Sequence, residues 1–163
     1  MAYKDPENTL VIETTKGNVV IEMRPDLAPN HVAHIKKLAR EGLYDGVVFH
    51  RVIDGFMAQT GDVQYGKGAD ISMAGMGGSD LPDVKAEFNA EHFVRGVVGA
   101  ARAQDPDTFN SQFFICFADC TFLAGQYTVF GKVVAGMDVV DAITRGEPPA
   151  NPDKIISAKI EQK

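Results

Sequence analysis

Apolar and polar positions along this chain fall mostly into short β-rich runs, and helical periodicity surfaces only twice. Residues 10–14 and 19–23 are rich in Val, Ile and Leu and are separated by Lys16-Gly17-Asn18, so the chain is expected to begin with a hairpin. A helix is expected over residues 29–41, with Pro29 early, Gly42 at the stop, and Val32, Ile35, Leu38 and Ala39 on one face. Further β-rich segments lie at 47–53, 94–101, 112–117, 128–134 and 155–160, and residues 137–143, with Val139, Val140 and Ile143 apolar, give a second short helix. Many strands with little helix predict a mainly β fold built as a barrel. Two helices are available to plug the open ends of a closed antiparallel sheet.

Between residues 60 and 93 the periodicity lapses. Gly61, Gly66, Gly68, Gly75, Gly77 and Gly78 interrupt an acidic stretch, and a long wrapped loop is expected there. Loops of this length are uncommon unless they belong to a site or a lid, and this one emerges directly after Gln59. There is no internal repeat and no low-complexity tract.

The 163 residues suit one domain spanning 1–163, long enough to bury roughly 68–70% of the unfolded surface. A hydrophobic fraction of 45% with 23% charged residues is that of an ordinary globule and excludes disordered and collagen-like classes. The net charge of -6 argues against a nucleic-acid partner; Lys36, Lys37 and Arg40 read as the solvated face and C-terminal charge of the first helix. The first seven residues carry no apolar leader and no later run reaches membrane-spanning length, so a cytoplasmic chain with no membrane partner is expected. Cys116 and Cys120, spaced C-x3-C with no second pair, read as reduced structural thiols, a redox disulfide being the minor alternative. No metal and no cofactor is expected, since no histidine stands at ligand spacing and His31, His34 and His92 look incidental.

The candidate chemistry lies in residues 49–59, where Arg51 and Gln59 stand inside an otherwise apolar run. A guanidinium with five donors stays charged and needs a partner or a task if buried. The plainer reading is that Arg51 reaches water or pairs with Asp54 or another carboxylate. A second segment, Asn110-Ser111-Gln112-Phe113-Phe114-Ile115, places Gln112 and Phe114 on one strand face and Phe113 and Ile115 on the other. Two such strands side by side form a greasy pocket flanked by amides, suited to a neutral, carbonyl-rich ligand rather than to hydrolysis. By the same alternation His50 faces away from Phe49 and Arg51 and is a packed structural histidine.

Residues 49–59 (F-H-R-V-I-D-G-F-M-A-Q), then S-Q-F-F-I, then F-L-A-G-Q-Y-T-V-F-G-K-V at 122–133, in this order and at these separations, together resemble the cyclophilins from about Thr9 to the C-terminus. The resemblance implies a closed antiparallel eight-stranded β-barrel capped by two α-helices, and a peptidyl-prolyl cis-trans isomerase acting on proline-containing peptides and on unfolded or folding proteins; nothing in the sequence demands more than a monomer. It implies Arg51, Gln59 and Phe56 as catalytic residues, with Gln59 orienting the arginine. Met57, Phe114 and Leu123 join Phe56 in the ring pocket, the backbone of Ala101, Arg102 and Ala103 holds the residues before proline, and Gln112 contacts substrate at the pocket edge. Phe122 stands where tryptophan is common and Tyr127 where histidine is common; loss of the indole N–H implies weakened binding of cyclosporin. The rivals are a passive proline-peptide module or holdase, and a small hydrolase built on His50, Asp54 and Ser111.

Overall fold

The computed structural model describes residues 6–68 and 70–161, so the expectation about the first seven residues falls, up to Asp5, outside the described residues. Eight strands form one sheet: β1 (Thr9–Thr14), β2 (Gly17–Met23), β3 (Arg51–Ile53), β4 (Met57–Thr60), β5 (Val97–Ala100), β6 (Phe113–Cys116), β7 (Val129–Ala135) and β8 (Ile155–Ile160). Their order is β3-β4-β6-β5-β7-β2-β1-β8 and every pairing is antiparallel. Two helices, α1 (Pro29–Arg40) and α2 (Met137–Asp141), accompany the sheet.

The sheet curls but is less closed than expected. No ladder joins β8 to β3 among the described residues; the seam is crossed by bridges between Val48 and Lys154 and between Val52 and Gly146, with Phe49 N–H donating to Asp153 O at 2.8 Å. The expected strand over 47–53 is regular only from Arg51 because its side chains do not alternate. Phe49 enters the main core at 1% exposure whereas Arg51 is exposed, so the two do not share a face as strict alternation requires.

Helix α1 buries the face its periodicity marks: Val32, Ile35, Leu38 and Ala39 all join the main core. Its basic residues pair outward, Lys36 with Glu7 at 2.6 Å and Lys37 with Glu41 at 3.7 Å. Ala28 offers no capping side chain at the N-terminus. Glu87, far along the chain, caps it instead, accepting from the backbone N–H of Asn30 at 3.2 Å and of His31 at 2.8 Å. The same carboxylate lies 2.6 Å from His31 Nδ1, so His31 is a tie between helix and loop rather than incidental.

Strand alternation separates two apolar clusters. From β6, Phe113 and Ile115 enter the main core, while Phe114 and Cys116 join a second cluster with Met57, Phe93, Val97, Leu123 and Val129. Cys116 and Cys120 are both free and buried, and burial raises both thiol pKa values, that of Cys116 far above the ordinary range. This favours the inert protonated form. The long loop is held by side chains rather than ladders: Asp62, at 0% exposure, accepts from the backbone N–H groups of Gln64, Tyr65, Gly75 and Gly77 at 2.8–3.0 Å.

Candidate functional site

Register builds the site. Arg51 on β3 lies opposite Gln59 on β4, Gln59 opposite Phe114 on β6, and Phe114 opposite Gly99 on β5. Directly opposed residues share a sheet face, so a cation, an amide and an aromatic ring stand in one row across the outer surface. Gly99 makes room for the ring: a Cβ there would lie 2.6 Å from Phe114 Cζ. Phe114 stacks on Phe93 with centroids 6.0 Å apart and meets the edge of Tyr127 at 5.8 Å.

Around this row is a cavity of about 120 Å³ lined by Arg51, Phe56, Met57, Gln59, Ala101, Arg102, Phe114, Leu123 and Tyr127. A larger cavity of about 430 Å³ adjoins it, sharing Gln59, Ala101 and Arg102, and Ala103 and Gln112 line this second space. Phe122 lines neither; it is 65% exposed and packs on Phe56 at 5.6 Å. The Arg102 guanidinium stacks 4.5 Å from the Tyr127 centroid, and its Nε donates to Gln126 O at 2.9 Å. That charge is held in the wall of the groove.

Two expectations about the polar pair need correction. Arg51 is not buried: its side chain is 47% exposed and its Nε donates to Glu147 at 3.3 Å. It stands on the outer face near the sheet seam, where water solvates the charge, so burial does not demand a task of it. Nor does Gln59 hold the arginine. Its Nε2 donates to Gln112 Oε1 at 2.9 Å, while Gln112 Nε2 donates to Gly75 O and Gly77 O, both at 3.0 Å. The amide pair therefore ties β4 to the long loop.

Glu147 escapes sequence reasoning because no local pattern links Gly-Glu-Pro-Pro to a strand 96 residues away. The hydrolase constellation is not assembled: Asp54 pairs with Arg145 at 3.1 Å, and neither Ser111 Oγ nor His50 Nδ1 has a hydrogen-bond partner among the described residues. His50 is packed as expected, and burial lowers its pKa. No group of three or more His, Cys, Asp or Glu among the described residues is arranged to hold a metal. No described helix is long and apolar enough to cross a membrane.

Residues 9–160 match the family model described as cyclophilin type peptidyl-prolyl cis-trans isomerase/CLD. A probable peptidyl-prolyl cis-trans isomerase of Brucella suis is 61% identical over 165 residues, covering 96% of this chain and 84% of that protein. A peptidyl-prolyl cis-trans isomerase of Helicobacter pylori is 41% identical over 140 residues, covering 83% and 80%. Among solved structures, cyclophilin AquaCyp293 from Hirschia baltica superposes with a TM-score of 0.84 at 34% identity, covering 96% of this chain and 74% of its own. A Cryptosporidium parvum cyclophilin type isomerase, crystallised in the presence of the dipeptide Ala-Pro, gives 0.83 at 25% identity, covering 95% and 99%.

Proposed function

The chain belongs to the cyclophilin-type family and is a peptidyl-prolyl cis-trans isomerase, and from that premise we propose that Arg51 carries catalysis by donating to the prolyl nitrogen as the amide twists. Rotation about an Xaa-Pro bond breaks no bond and needs no nucleophile, metal or cofactor. Its barrier of ~18–20 kcal/mol is the resonance of the planar amide. In the twisted state the nitrogen becomes pyramidal and regains a lone pair that accepts a hydrogen bond, an acceptor the planar ground states lack. A guanidinium poised there binds the transition state selectively, which is what acceleration requires.

A charge-assisted hydrogen bond supplies about 1.5–3 kcal/mol. Moving a reaction from tens of seconds to milliseconds needs on the order of 6–7 kcal/mol. The remainder is assigned to the ring pocket of Phe56, Met57, Phe114 and Leu123, which holds one side of the bond and excludes water while the other side swings. Gln59 and the backbone of Ala101, Arg102 and Ala103 hold the peptide, with Gln112 and Tyr127 at its edges and Phe122 on the rim. The observation that carries this reading is the cross-sheet row of Arg51, Gln59 and Phe114 opening on the apolar cavity.

Proline-containing peptides are the ligands of this family, and the Ala-Pro dipeptide present with the Cryptosporidium parvum relative supports the same class here. The clients we propose are unfolded and folding proteins, met in the cytoplasm by a monomeric single-domain enzyme that engages neither nucleic acid nor membrane. Cyclosporin is expected to bind weakly. The test of Arg51 is a protease-free isomerisation assay on a short Xaa-Pro peptide: Arg51→Ala should lower kcat/KM by roughly 10- to 100-fold, with peptide affinity and circular dichroism retained. Near-normal turnover with intact affinity would remove Arg51 from the mechanism.

A further inference from the structure

The row of cross-strand neighbours does not end at Arg51. Val52 and Gly146 exchange both backbone hydrogen bonds, each 2.8 Å long, in an isolated antiparallel bridge. In antiparallel register the residue before one bridge partner faces the residue after the other, so Arg51 faces Glu147. The ion pair at 3.3 Å follows from that register and is not a chance meeting of two long surface side chains. The backbone carrying Glu147 is stiff on both sides. Gly146, at φ +145°, folds the chain back so tightly that a Cβ would lie 2.5 Å from Pro149 Cα, and Pro148 follows with its ring-fixed φ.

Arg51 therefore stands between two cross-strand neighbours, Gln59 and Glu147. The Gln59 amide is engaged with Gln112, which leaves Glu147 as the group that holds the guanidinium. It does so through Nε, and the Nη groups form no hydrogen bond among the described residues. Resting on the reading of Arg51 given above, we propose that Glu147 is the positioning residue of that arginine, fixing the guanidinium plane so that its outer N–H groups meet the twisting imide. A counter-charge also weakens a cation as a donor. With the two side chains 47% and 56% exposed, water screens that penalty, while the orientation imposed by the hydrogen bond persists.

The proposal is tested by measuring kcat/KM and peptide Kd by exchange NMR for wild type, Glu147→Ala, Glu147→Gln, Arg51→Ala and the double variant Arg51→Ala/Glu147→Ala. Glu147→Ala is expected to lower kcat/KM by roughly three- to fivefold, matching the strength of an exposed ion pair, with Kd unchanged. Glu147→Gln, which keeps an acceptor oxygen, should recover most of the loss, and removing Glu147 from the Arg51→Ala background should cost nothing further. The Arg51 Nε–H resonance should shift toward that of free arginine in Glu147→Ala. Activity at or above wild type in Glu147→Ala, an equal loss in both backgrounds, or an unmoved Nε–H resonance overturns the proposal. Normal turnover by Arg51→Ala would instead defeat the parent reading, independently of what Glu147 does.

Discussion

Phe122, exposed and packed on Phe56 outside both cavities, is the residue proposed for the rim, and its chemistry sets the expected response to cyclosporin. Phenylalanine offers a face but no N–H, so a ligand carbonyl arriving at the rim finds no donor there. Phe122→Trp keeps an aromatic ring and adds that donor, and it is expected to tighten cyclosporin binding by roughly 2- to 10-fold, the worth of one net hydrogen bond, with little change in isomerase activity. Calorimetric titration of the two proteins checks this; equal affinity would show that the rim indole is irrelevant to this groove. At this scale the sequence exposed Arg51 and Gln59 as polar residues inside one apolar run, and period-two alternation paired Gln112 with Phe114. It misjudged the burial of Arg51, since burial depends on which face of which strand the residue joins. Glu147 was illegible for the same reason, its partner lying across a bridge that no local pattern announces.

Elements were legible where periodicity is local. The buried face of α1 and the whole of β8 agree with the apolar pattern, whereas β5 and β6 are shorter than their β-rich runs because ladder pairing ends before apolar character does. The β-rich segments omitted 57–60, although Asp54-Gly55 between apolar runs is a hairpin signal that marks the turn between β3 and β4. What no helix rule reveals is a cap supplied from another part of the chain. Ala28 leaves the first N–H groups of α1 without a local acceptor, and Glu87 satisfies two of them together with buried His31. Glu87→Ala removes a helix cap and strands a buried ring nitrogen, so it is expected to lower unfolding free energy by about 2–3 kcal/mol. Urea denaturation measures it; a loss within experimental scatter would mean that solvent caps α1 as well as the carboxylate does.

At the scale of the whole molecule, strand order was the part least visible. Neighbours such as β7 with β2 and β4 with β6 are chosen by packing between segments far apart in sequence. That packing also gathers three histidines into low-dielectric surroundings, and acid stability follows. Burial is the largest influence on His31, His34 and His50 and lowers all three pKa values below the ordinary 6.5. Glu87 opposes it at His31, a hydrogen bond from the ring to the Asn110 backbone and the charge of Asp83 oppose it at His34, and Asp62 opposes it at His50, where Arg51 adds to the lowering. With folded pKa values below unfolded ones, the unfolded chain binds more protons once pH drops through about 6.5, so stability is fully present above that pH and declines below it. Each histidine neutral in the folded state and charged in the unfolded state contributes a slope of about 1.4 kcal/mol per pH unit. Urea midpoints taken from pH 8 to pH 5 should therefore be level on the alkaline side and fall on the acid side, with a smaller fall in His50→Asn. A midpoint that holds steady down to pH 5 would mean that these rings take up protons without leaving the core, and that Asp62, Asp83 and Glu87 neutralise burial rather than merely oppose it.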